Sequence, residues 1–219
     1  MRSSLCAASQ PAFMRPTIDW NDALTLGCKL PFSFATVAFD HPLIVCFSSG
    51  TTGKPKGIVH GHGGITLEAY KITALHGDIG TGDICNFHTT TGWMVWFMLI
   101  AALTNGVTLA VFDGNPRAEG GHALWDFVER TKTKFFSISS AFMTACMQAG
   151  DRPNDSHDLS ALEKVVFGAS PATPEVMEWV SENVGKGTLV NTASGGTEVF
   201  TCFVGYCPDV PSYAGEFQC

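Results

Sequence analysis

Short apolar runs alternate with longer segments of helical composition from Asp40 onward, and this alternation constrains the fold more than any other feature. Predicted strands occupy residues 42–47, 83–87, 107–112, 134–139, 164–170, 187–193 and 199–205. Predicted helices occupy residues 63–78, 93–104, 122–133, 140–150 and 173–184, and the polar segment 152–162 has room for one helical turn. Strands and helices in this order favour βαβ units, so the sequence predicts an α/β fold with a parallel sheet and right-handed crossovers.

Local signals refine this assignment. The run PLIVCF at 42–47 is continuously apolar, which predicts a strand buried on both faces. Gly150 is placed to end the helix before it, and Thr173 followed by Pro174 is a typical helix start. Residues 1–35 show no clear periodicity, and we expect a loosely ordered leader there.

Composition narrows the class of protein. Hydrophobic residues make up 45% and charged residues 15% of the 219 residues, which is typical of a globular chain and not of a disordered one. The net charge of −7 without a basic run argues against a nucleic-acid partner. The apolar stretch Trp93–Leu103 is too short for a bilayer span, and the N-terminus has no sustained apolar segment. We therefore expect neither a membrane span nor a signal peptide.

The eight cysteines are scattered along the chain, and several lie in apolar runs. Free buried thiols in a reducing cytosol explain this pattern better than disulfides, which predicts a cytoplasmic protein. Cys202 and Cys207 have no matching His or Cys pair, so a zinc site is disfavoured. His60 and His62 also lack a third ligand, and packing or a hydrogen bond is the preferred role for them.

The stretch CFSSGTTGKPKGIVHGHGG, from Cys46 to Gly64, combines glycines, hydroxyl residues and lysines directly behind an apolar run. Glycines let backbone amides converge on an anion, and hydroxyl and ammonium groups add hydrogen bonds and charge, so the composition suits a phosphate cradle. The spacing matches neither G-x-x-x-x-G-K-[ST] nor G-x-G-x-x-G. A flexible surface loop fits the composition equally well.

Three motifs carry a resemblance to a known family. SSGTTGKPKG at 48–57 resembles the signature loop of the adenylate-forming superfamily, which includes acyl-CoA synthetases, luciferases and nonribosomal peptide adenylation domains. GGTEV at 195–199 resembles the Thr-Glu site of that family, and GASP at 168–171 resembles its adenine-binding turn. The three motifs follow one another in the family's order.

The resemblance implies a role for each matching residue. The loop residues would fold over the β- and γ-phosphates of ATP: Ser48, Ser49, Gly50, Thr51, Thr52, Gly53, Lys54 and Lys56. Thr197 would contact phosphate and Glu198 would hold Mg²⁺. The turn that would lie against adenine consists of Ala169, Ser170 and Pro171.

The flanking sequence is most similar to the acetoacetyl-CoA synthetase branch. The segments that match are residues 39–64, TTTGWMVW at 89–96 and residues 196–218. By this resemblance, residues 36–219 form the central part of an AMP-binding domain, which covers well under half of such an enzyme. The branch usually carries Asp where this chain has Glu198, so the carboxylate is kept.

The same resemblance places the acyl group beside TGWMVW. Trp93, Met94 and Val95 would face it, although Met94 and Trp96 also suit a packed core. Acetyl-specific relatives carry a Trp where this chain has Gly195, and the missing indole leaves volume for an acid longer than acetate. Acetoacetate fits this description. Butyrate-sized acids are not excluded as substrates, because one methylene group contributes little to the discrimination between two acids.

The implied reaction has two halves and uses ATP, Mg²⁺ and coenzyme A. A small-molecule carboxylate attacks the α-phosphate of ATP to give acyl-adenylate and pyrophosphate, and the coenzyme A thiol then displaces AMP. The family's N-terminal region, its ribose-gripping Asp motif and its small C-terminal domain have no counterpart in residues 1–219. We therefore expect a truncated piece that is inactive alone, and the alternative is a non-catalytic nucleotide-binding paralogue. The acetoacetyl-like flanks disfavour an oxidative enzyme of the firefly type.

Overall fold

The computed structural model describes residues 17–48 and 53–219. The described residues fall into two compact units, divided between Val37 and Ala38. The first unit contains helix α1, Trp20–Gly27, which has no buried residue. Periodicity alone does not predict this helix, and its signal is the cap: the Asp19 carboxylate accepts a hydrogen bond from the Asn21 amide at 2.8 Å. The proposed division of the chain after residue 35 stays a prediction.

The second unit begins with an antiparallel hairpin of strands β1, Pro42–Ser48, and β2, Lys56–Gly61. The predicted strand at 42–47 is confirmed, but the prediction that both of its faces are buried is wrong. Only Cys46 is buried within β1, while Phe47 is 70% exposed. The physical reason is the pairing, because β1 bonds to β2 in a two-stranded sheet of its own. Strand β2 was not predicted, since its glycines and lysine have the composition of a loop.

A five-stranded parallel sheet forms the centre of the second unit, with strand order β4-β3-β5-β6-β7. Its strands are β3 (Ile84–Phe87), β4 (Thr108–Leu109), β5 (Phe135–Ser139), β6 (Lys164–Gly168) and β7 (Leu189–Thr192). The predicted α/β fold with a parallel sheet is confirmed. Strand β4 is shorter than predicted, and just beyond its end the side-chain amide of Asn86 donates to the Ala110 carbonyl at 2.7 Å.

Strands β8, Ser194–Gly196, and β9, Thr201–Val204, form a third, antiparallel sheet. The predicted strand at 199–205 is thus present, but it joins this small sheet instead of the parallel one.

The helices of the second unit agree with the predicted segments. They are α2 (His62–Tyr70, continued by a π-helical turn Lys71–His76), α3 (Met94–Ala101, continued by a 3₁₀ turn Ala102–Asn105), α4 (Ala123–Thr131), α5 (Ser140–Ala149), α6 (Pro153–Ser156) and α7 (Pro174–Asn183). Gly150 ends α5 in the left-handed conformation, at φ 74°, as its position predicted. Thr173 is the N-cap residue of α7 and Pro174 is its first residue.

Both faces of the parallel sheet are buried. Neighbouring residues of a strand point to opposite faces, so Phe136 joins one core cluster with Leu124 of α4 and Val180 of α7. Phe135 joins the other cluster, with Leu99 of α3. Burial on both faces explains why the strands have continuous apolar runs instead of alternating ones.

The cysteines of the described residues are free thiols: Cys28, Cys46, Cys85, Cys146, Cys202, Cys207 and Cys219. The expected burial holds for Cys46, Cys85 and Cys146, whereas Cys28 and Cys219 are exposed. Burial raises the pKa of Cys85 to about 12 and that of Cys146 to about 11, so both are packing groups and not nucleophiles. Within the part of the chain that the structure describes, no helix has the length and apolarity needed to cross a membrane.

Strands β8 and β9 approach each other too closely for any side chain at Gly195. A Cβ atom at this position would lie 1.9 Å from the Thr201 carbonyl oxygen and 2.7 Å from the Cys202 Cα. Both contacts are with backbone atoms, which cannot rotate away as a flexible side chain could. The strand pairing therefore requires glycine at position 195, whatever else the missing side chain does.

We expect Gly195→Ala to lower the free energy of unfolding by about 1–3 kcal/mol, because the extra methyl group forces β8 and β9 apart. Gly168→Ala is the matched control, since a Cβ at Gly168 has no neighbour within 4 Å. Urea unfolding of both variants measures the difference. An equal loss in the two variants would show that the close approach of the strands does not constrain position 195.

Candidate functional site

The glycine- and hydroxyl-rich loop joins β1 to β2. Ser48, the last residue of β1, is the register partner of Lys56, the first residue of β2, so the loop starts and ends at one place. Ser49, Gly50, Thr51 and Thr52 lie outside the described residues. Gly53, Lys54 and Lys56 are exposed, which leaves both ammonium groups free to meet an anion.

A hydrogen bond connects this hairpin to the Thr197–Glu198 segment. The His60 Nε2–H of β2 donates to the Thr197 carbonyl at 2.8 Å, and the His60 ring packs on the Phe200 ring at 5.3 Å. This is the hydrogen-bonding role preferred for His60 from the sequence. Phe200 is buried and has a φ of 57°, a costly conformation for an aromatic residue that holds the turn between β8 and β9 tight.

A cavity of about 450 Å³ lies between β1 and the N-terminus of α3. We call it the hairpin cavity, and its lining residues are Val45, Cys46, Phe47, Ser48, Thr91, Gly92, Trp93, Met94, Phe97 and Thr197. It brings together two predicted phosphate-binding residues, Ser48 and Thr197, and two predicted acyl-binding residues, Trp93 and Met94. The N-cap residue of α3, Trp93, makes no side-chain cap, so the helix offers free amides and a positive dipole end to an anion.

A second cavity, of about 100 Å³, lies against the parallel sheet. We call it the sheet cavity, and its lining residues are Phe87, Met94, Val95, Met98, Phe135, Ser137, Val166, Phe167, Gly168, Ala193, Gly195, Thr201, Cys202 and Tyr206. Three predicted acyl-binding residues, Met94, Val95 and Gly195, share this cavity. It has room for several water molecules and hence for a small acid.

Met94 lines both cavities and stands where they meet. Trp93 is 44% exposed and lines only the hairpin cavity. Trp96 packs against a core cluster, which is the alternative role considered for it. Sequence reasoning missed Thr201, Cys202 and Tyr206, because strand composition does not reveal which residues of β9 and of the segment after it border a cavity.

The predicted adenine-binding turn follows β6 at its carboxyl end. Ala169, Ser170 and Pro171 are exposed, and Ala169 has a φ of 70°, in the left-handed region. The Ser170 hydroxyl lies 2.6 Å from the Ser140 hydroxyl at the start of α5, which ties the ends of two neighbouring strands together. The three residues line neither cavity, but Gly168 next to them lines the sheet cavity.

The sheet cavity also lies where sheet topology favours a ligand. The crossover after β3 leads to β4 on one side of it, and the next crossover leads from β4 to β5 on the other side, so the direction of the connections reverses between β3 and β5. Phe87, Ser137 and Gly168 bring the carboxyl ends of β3, β5 and β6 to the cavity. Open α/β sheets bind ligands at this kind of reversal point.

Glu198, the predicted Mg²⁺ ligand, is exposed and follows Thr197 directly. The described residues contain no group of three or more His, Cys, Asp or Glu side chains that could hold a metal ion. A single carboxylate fits Mg²⁺, which usually takes one or two protein carboxylates and completes its shell with phosphate oxygens and water. The arrangement therefore suits a magnesium ion that arrives with a nucleotide.

Comparisons with known proteins agree on one family. Residues 10–216 match the family described as AMP-binding enzyme. The acetoacetyl-CoA synthetase of Danio rerio is 35% identical over 84% of this chain, and the acetoacetyl-coenzyme A synthetase of Rhizobium meliloti (strain 1021) is 37% identical over 86% of it. This chain spans only 28% and 29% of the length of those two proteins.

Solved structures give the same result. The acetoacetyl-CoA synthetase from Streptomyces lividans matches with a TM-score of 0.80 and 40% identity, over 85% of this chain and 29% of that one. The anthranilate CoA ligase AuaEII matches in fold, with a TM-score of 0.72 and 22% identity, over 84% of this chain and 35% of that one. Because the family match extends over nearly the whole sequence, the chain belongs to the AMP-binding enzyme family.

Proposed function

We propose that this chain supplies the ATP and acyl sites of an acid–thiol ligase that converts acetoacetate to its adenylate and then to acetoacetyl-CoA. The observation that carries the proposal is the position of Met94. It lines the hairpin cavity together with Ser48 and Thr197, and the sheet cavity together with Val95 and Gly195. A carboxylate whose acyl chain lies in the sheet cavity would face phosphates held in the hairpin cavity.

The first half-reaction joins two anions, so positioning and neutralisation of charge are its main requirements. The carboxylate oxygen attacks the α-phosphorus, and pyrophosphate leaves. Glu198 would hold Mg²⁺, which neutralises phosphate charge when it is bound. Thr197, the hydroxyl groups and lysines of the 48–56 loop and the N-terminus of α3 would orient the phosphates. Ala169, Ser170 and Pro171 would lie against adenine.

Acetoacetate is preferred as the substrate for two reasons. The relatives at 35–37% identity are named for acetoacetate, and by the resemblance Gly195 stands where acetyl-specific relatives carry an indole. Coenzyme A enters in the second half-reaction, where its thiol attacks the adenylate carbonyl and AMP leaves. The chain spans under a third of these relatives, and we propose that the 219 residues alone bind ATP and the acid but form acyl-adenylate only slowly and do not complete the thioester.

A second candidate function is nucleotide binding without turnover. Both functions require the ATP site, and they differ in whether acyl-adenylate forms at all.

Glu198→Gln tests the metal site. We expect the affinity for ATP in the presence of Mg²⁺ to fall about tenfold or more, because a charged interaction is lost, while the affinity without Mg²⁺ changes little. Isothermal titration with and without Mg²⁺ measures both values. Glu178→Gln, an exposed position on α7, is the matched control. Identical titrations for the two variants would contradict the assignment of Glu198.

Substitution of His60 tests the hydrogen bond that connects the hairpin to the Thr197–Glu198 segment. We expect His60→Ala to lower the free energy of unfolding by about 1–3 kcal/mol, because the Thr197 carbonyl loses its donor. The affinity for ATP should fall at the same time. His60→Gln keeps an N–H donor of similar reach and should retain most of both properties. If the two variants behave alike, the hydrogen bond does not position Thr197.

ATP–pyrophosphate exchange separates the two candidate functions, because exchange that depends on acetoacetate occurs only if acyl-adenylate forms, and nucleotide binding without turnover gives none. With acetoacetate and Mg²⁺, we expect the 219-residue chain to show exchange far below that of a complete acetoacetyl-CoA synthetase, while ATP raises its unfolding temperature. Exchange near the rate of the complete enzyme would refute the proposal that these residues alone form acyl-adenylate only slowly. A chain that unfolds at the same temperature with and without ATP would contradict both candidate functions.

A further inference from the structure

Ser137, in the middle of strand β5, lies on the face of the parallel sheet that borders the sheet cavity. Its register partners are Phe87 of β3 and Val166 of β6, and both belong to the core cluster on that face. Side chains at equivalent positions of neighbouring parallel strands point to the same side of a sheet. Phe87 and Val166 line the sheet cavity on either side of Ser137, so the Ser137 side chain points into that cavity.

The hydroxyl group of Ser137 is free to bind a ligand. The residue is partly buried, and its backbone carbonyl accepts a hydrogen bond from the His88 amide at 2.8 Å. The hydroxyl has no hydrogen-bond partner within residues 17–48 and 53–219, and it is not one of the unpaired polar atoms that are sealed from solvent there. An accessible, unpaired hydroxyl can donate a hydrogen bond to a ligand that enters the cavity.

The lining around Ser137 is mainly apolar. It includes Phe87, Phe135 and Val166 from the sheet, and Val95 and Met98 from α3. Ligand sites commonly consist of an apolar cavity with a few polar groups that orient the ligand. The sheet cavity therefore suits a ligand whose buried part is apolar apart from one hydrogen-bond acceptor.

Three other polar side chains line the sheet cavity, and each is less suited to this role. The Thr201 hydroxyl is sealed from solvent, and the Cys202 thiol is a weak donor. The ring centres of Tyr206 and Phe135 are 5.9 Å apart, and the Lys164 ammonium lies 5.5 Å from the Tyr206 ring centre. Because Phe135 and Lys164 are the first residues of β5 and β6, Tyr206 lies over the amino ends of these strands.

The carboxylate of the acid would lie at the opposite end of the sheet cavity. Met94, where this cavity meets the hairpin cavity, is the first residue of α3, and α3 follows the carboxyl end of β3. Ser137 lies two residues beyond Phe135 along β5, which brings it about 6–7 Å closer to the carboxyl end of the sheet. A polar group close to the carboxylate therefore meets the level of Ser137 before that of Tyr206.

We propose that the Ser137 hydroxyl donates a hydrogen bond to the 3-oxo oxygen of the bound acyl group, and so selects a 3-oxo acid over the saturated acid with the same number of carbons. The proposal rests on the proposed function, since it concerns the acyl site of the same ligase. A ketone oxygen accepts hydrogen bonds and donates none, and the serine hydroxyl is the donor that it needs.

The hydrogen bond supplies discrimination that cavity volume cannot. Acetoacetate and butyrate differ little in length, and a hydrophobic wall separates ligands of similar shape weakly. With the 3-oxo acid bound, the Ser137 hydroxyl gains a partner, whereas with the saturated acid it stays unpaired. One neutral hydrogen bond in place of none corresponds to a preference of roughly three- to tenfold.

The test compares two stable mimics of the acyl-adenylate, the N-acetoacetyl and the N-butanoyl derivatives of 5′-O-sulfamoyladenosine. Isothermal titration gives the affinity of each mimic for the 219-residue chain and for two variants, Ser137→Ala and Tyr206→Phe. We expect the unmodified chain to bind the acetoacetyl mimic about three- to tenfold more tightly than the butanoyl mimic. Ser137→Ala should abolish this preference, and Tyr206→Phe, which removes the other accessible hydroxyl of the lining, should keep it.

A stability measurement separates ligand binding from a structural role. Alanine differs from serine only by the hydroxyl, so Ser137→Ala should leave the urea midpoint of unfolding unchanged or raise it. Ser212→Ala is the matched control and should lower the midpoint, because the Ser212 hydroxyl donates to the Val190 carbonyl at 2.6 Å. A midpoint that falls equally in the two variants would show that the Ser137 hydroxyl has a structural partner, which overturns the proposal.

The binding outcomes distinguish this proposal from the proposed function. Equal affinity of the unmodified chain for the two mimics, or a preference that survives in Ser137→Ala, overturns the role of Ser137 and leaves the nucleotide site intact. If Tyr206→Phe abolishes a preference that Ser137→Ala keeps, the donor is Tyr206. Failure of both mimics to bind the unmodified chain overturns the proposed function, and this proposal with it.

Discussion

Burial of the parallel sheet on both faces is the constraint on which the rest of the second unit depends. Because consecutive strand residues point to opposite faces, Phe135 and Phe136 enter two separate cores, and each core needs its own layer of helices. Consecutive parallel strands are joined by crossover connections, so all five strands start at the same end of the sheet and finish at the opposite end. This arrangement gathers the carboxyl ends of β3, β5 and β6 around one cavity.

The elements outside the parallel sheet complete the site. The β1–β2 hairpin carries the glycine-rich loop, and the β8–β9 pair carries Thr197 and Glu198. Neither pair shares backbone ladder bonds with the central sheet. The hydrogen bond from His60 to the Thr197 carbonyl joins them to each other. The hairpin cavity is thus formed by contacts between elements, and no single motif contains it.

The sequence is a good guide to the fold where local chemistry decides the outcome. Gly150 and the Thr173–Pro174 pair mark helix ends correctly because caps depend on nearby residues. The burial of β1 could not be predicted, since an apolar run reveals a strand but not the partner that covers it. Strand β2 was missed because Lys56 and Gly57 have loop composition, and pairing with β1 overrides that local preference.

For the site, motifs identify residues but not their neighbours. Ser48 and Thr197 are far apart in the sequence, and only the tertiary contacts show that they line one cavity. Thr201 has no motif of its own, and only the folded structure shows that its buried hydroxyl has no hydrogen-bond partner among residues 17–48 and 53–219. The identity of a motif residue is therefore a property of the sequence, whereas an orphaned donor is a property of the fold.

Position 195 connects the backbone geometry of β8 and β9 to the lining of the sheet cavity. From the resemblance alone, glycine there acts by leaving volume. In this fold, however, a Cβ would meet the Thr201 carbonyl at 1.9 Å, so a bulky residue cannot enter without separating β8 from β9. Such a separation would also move Thr201, which lines the same cavity. The spacing of these two strands therefore determines where Gly195 and Thr201 lie in the lining of the sheet cavity, and a side chain at position 195 would displace both.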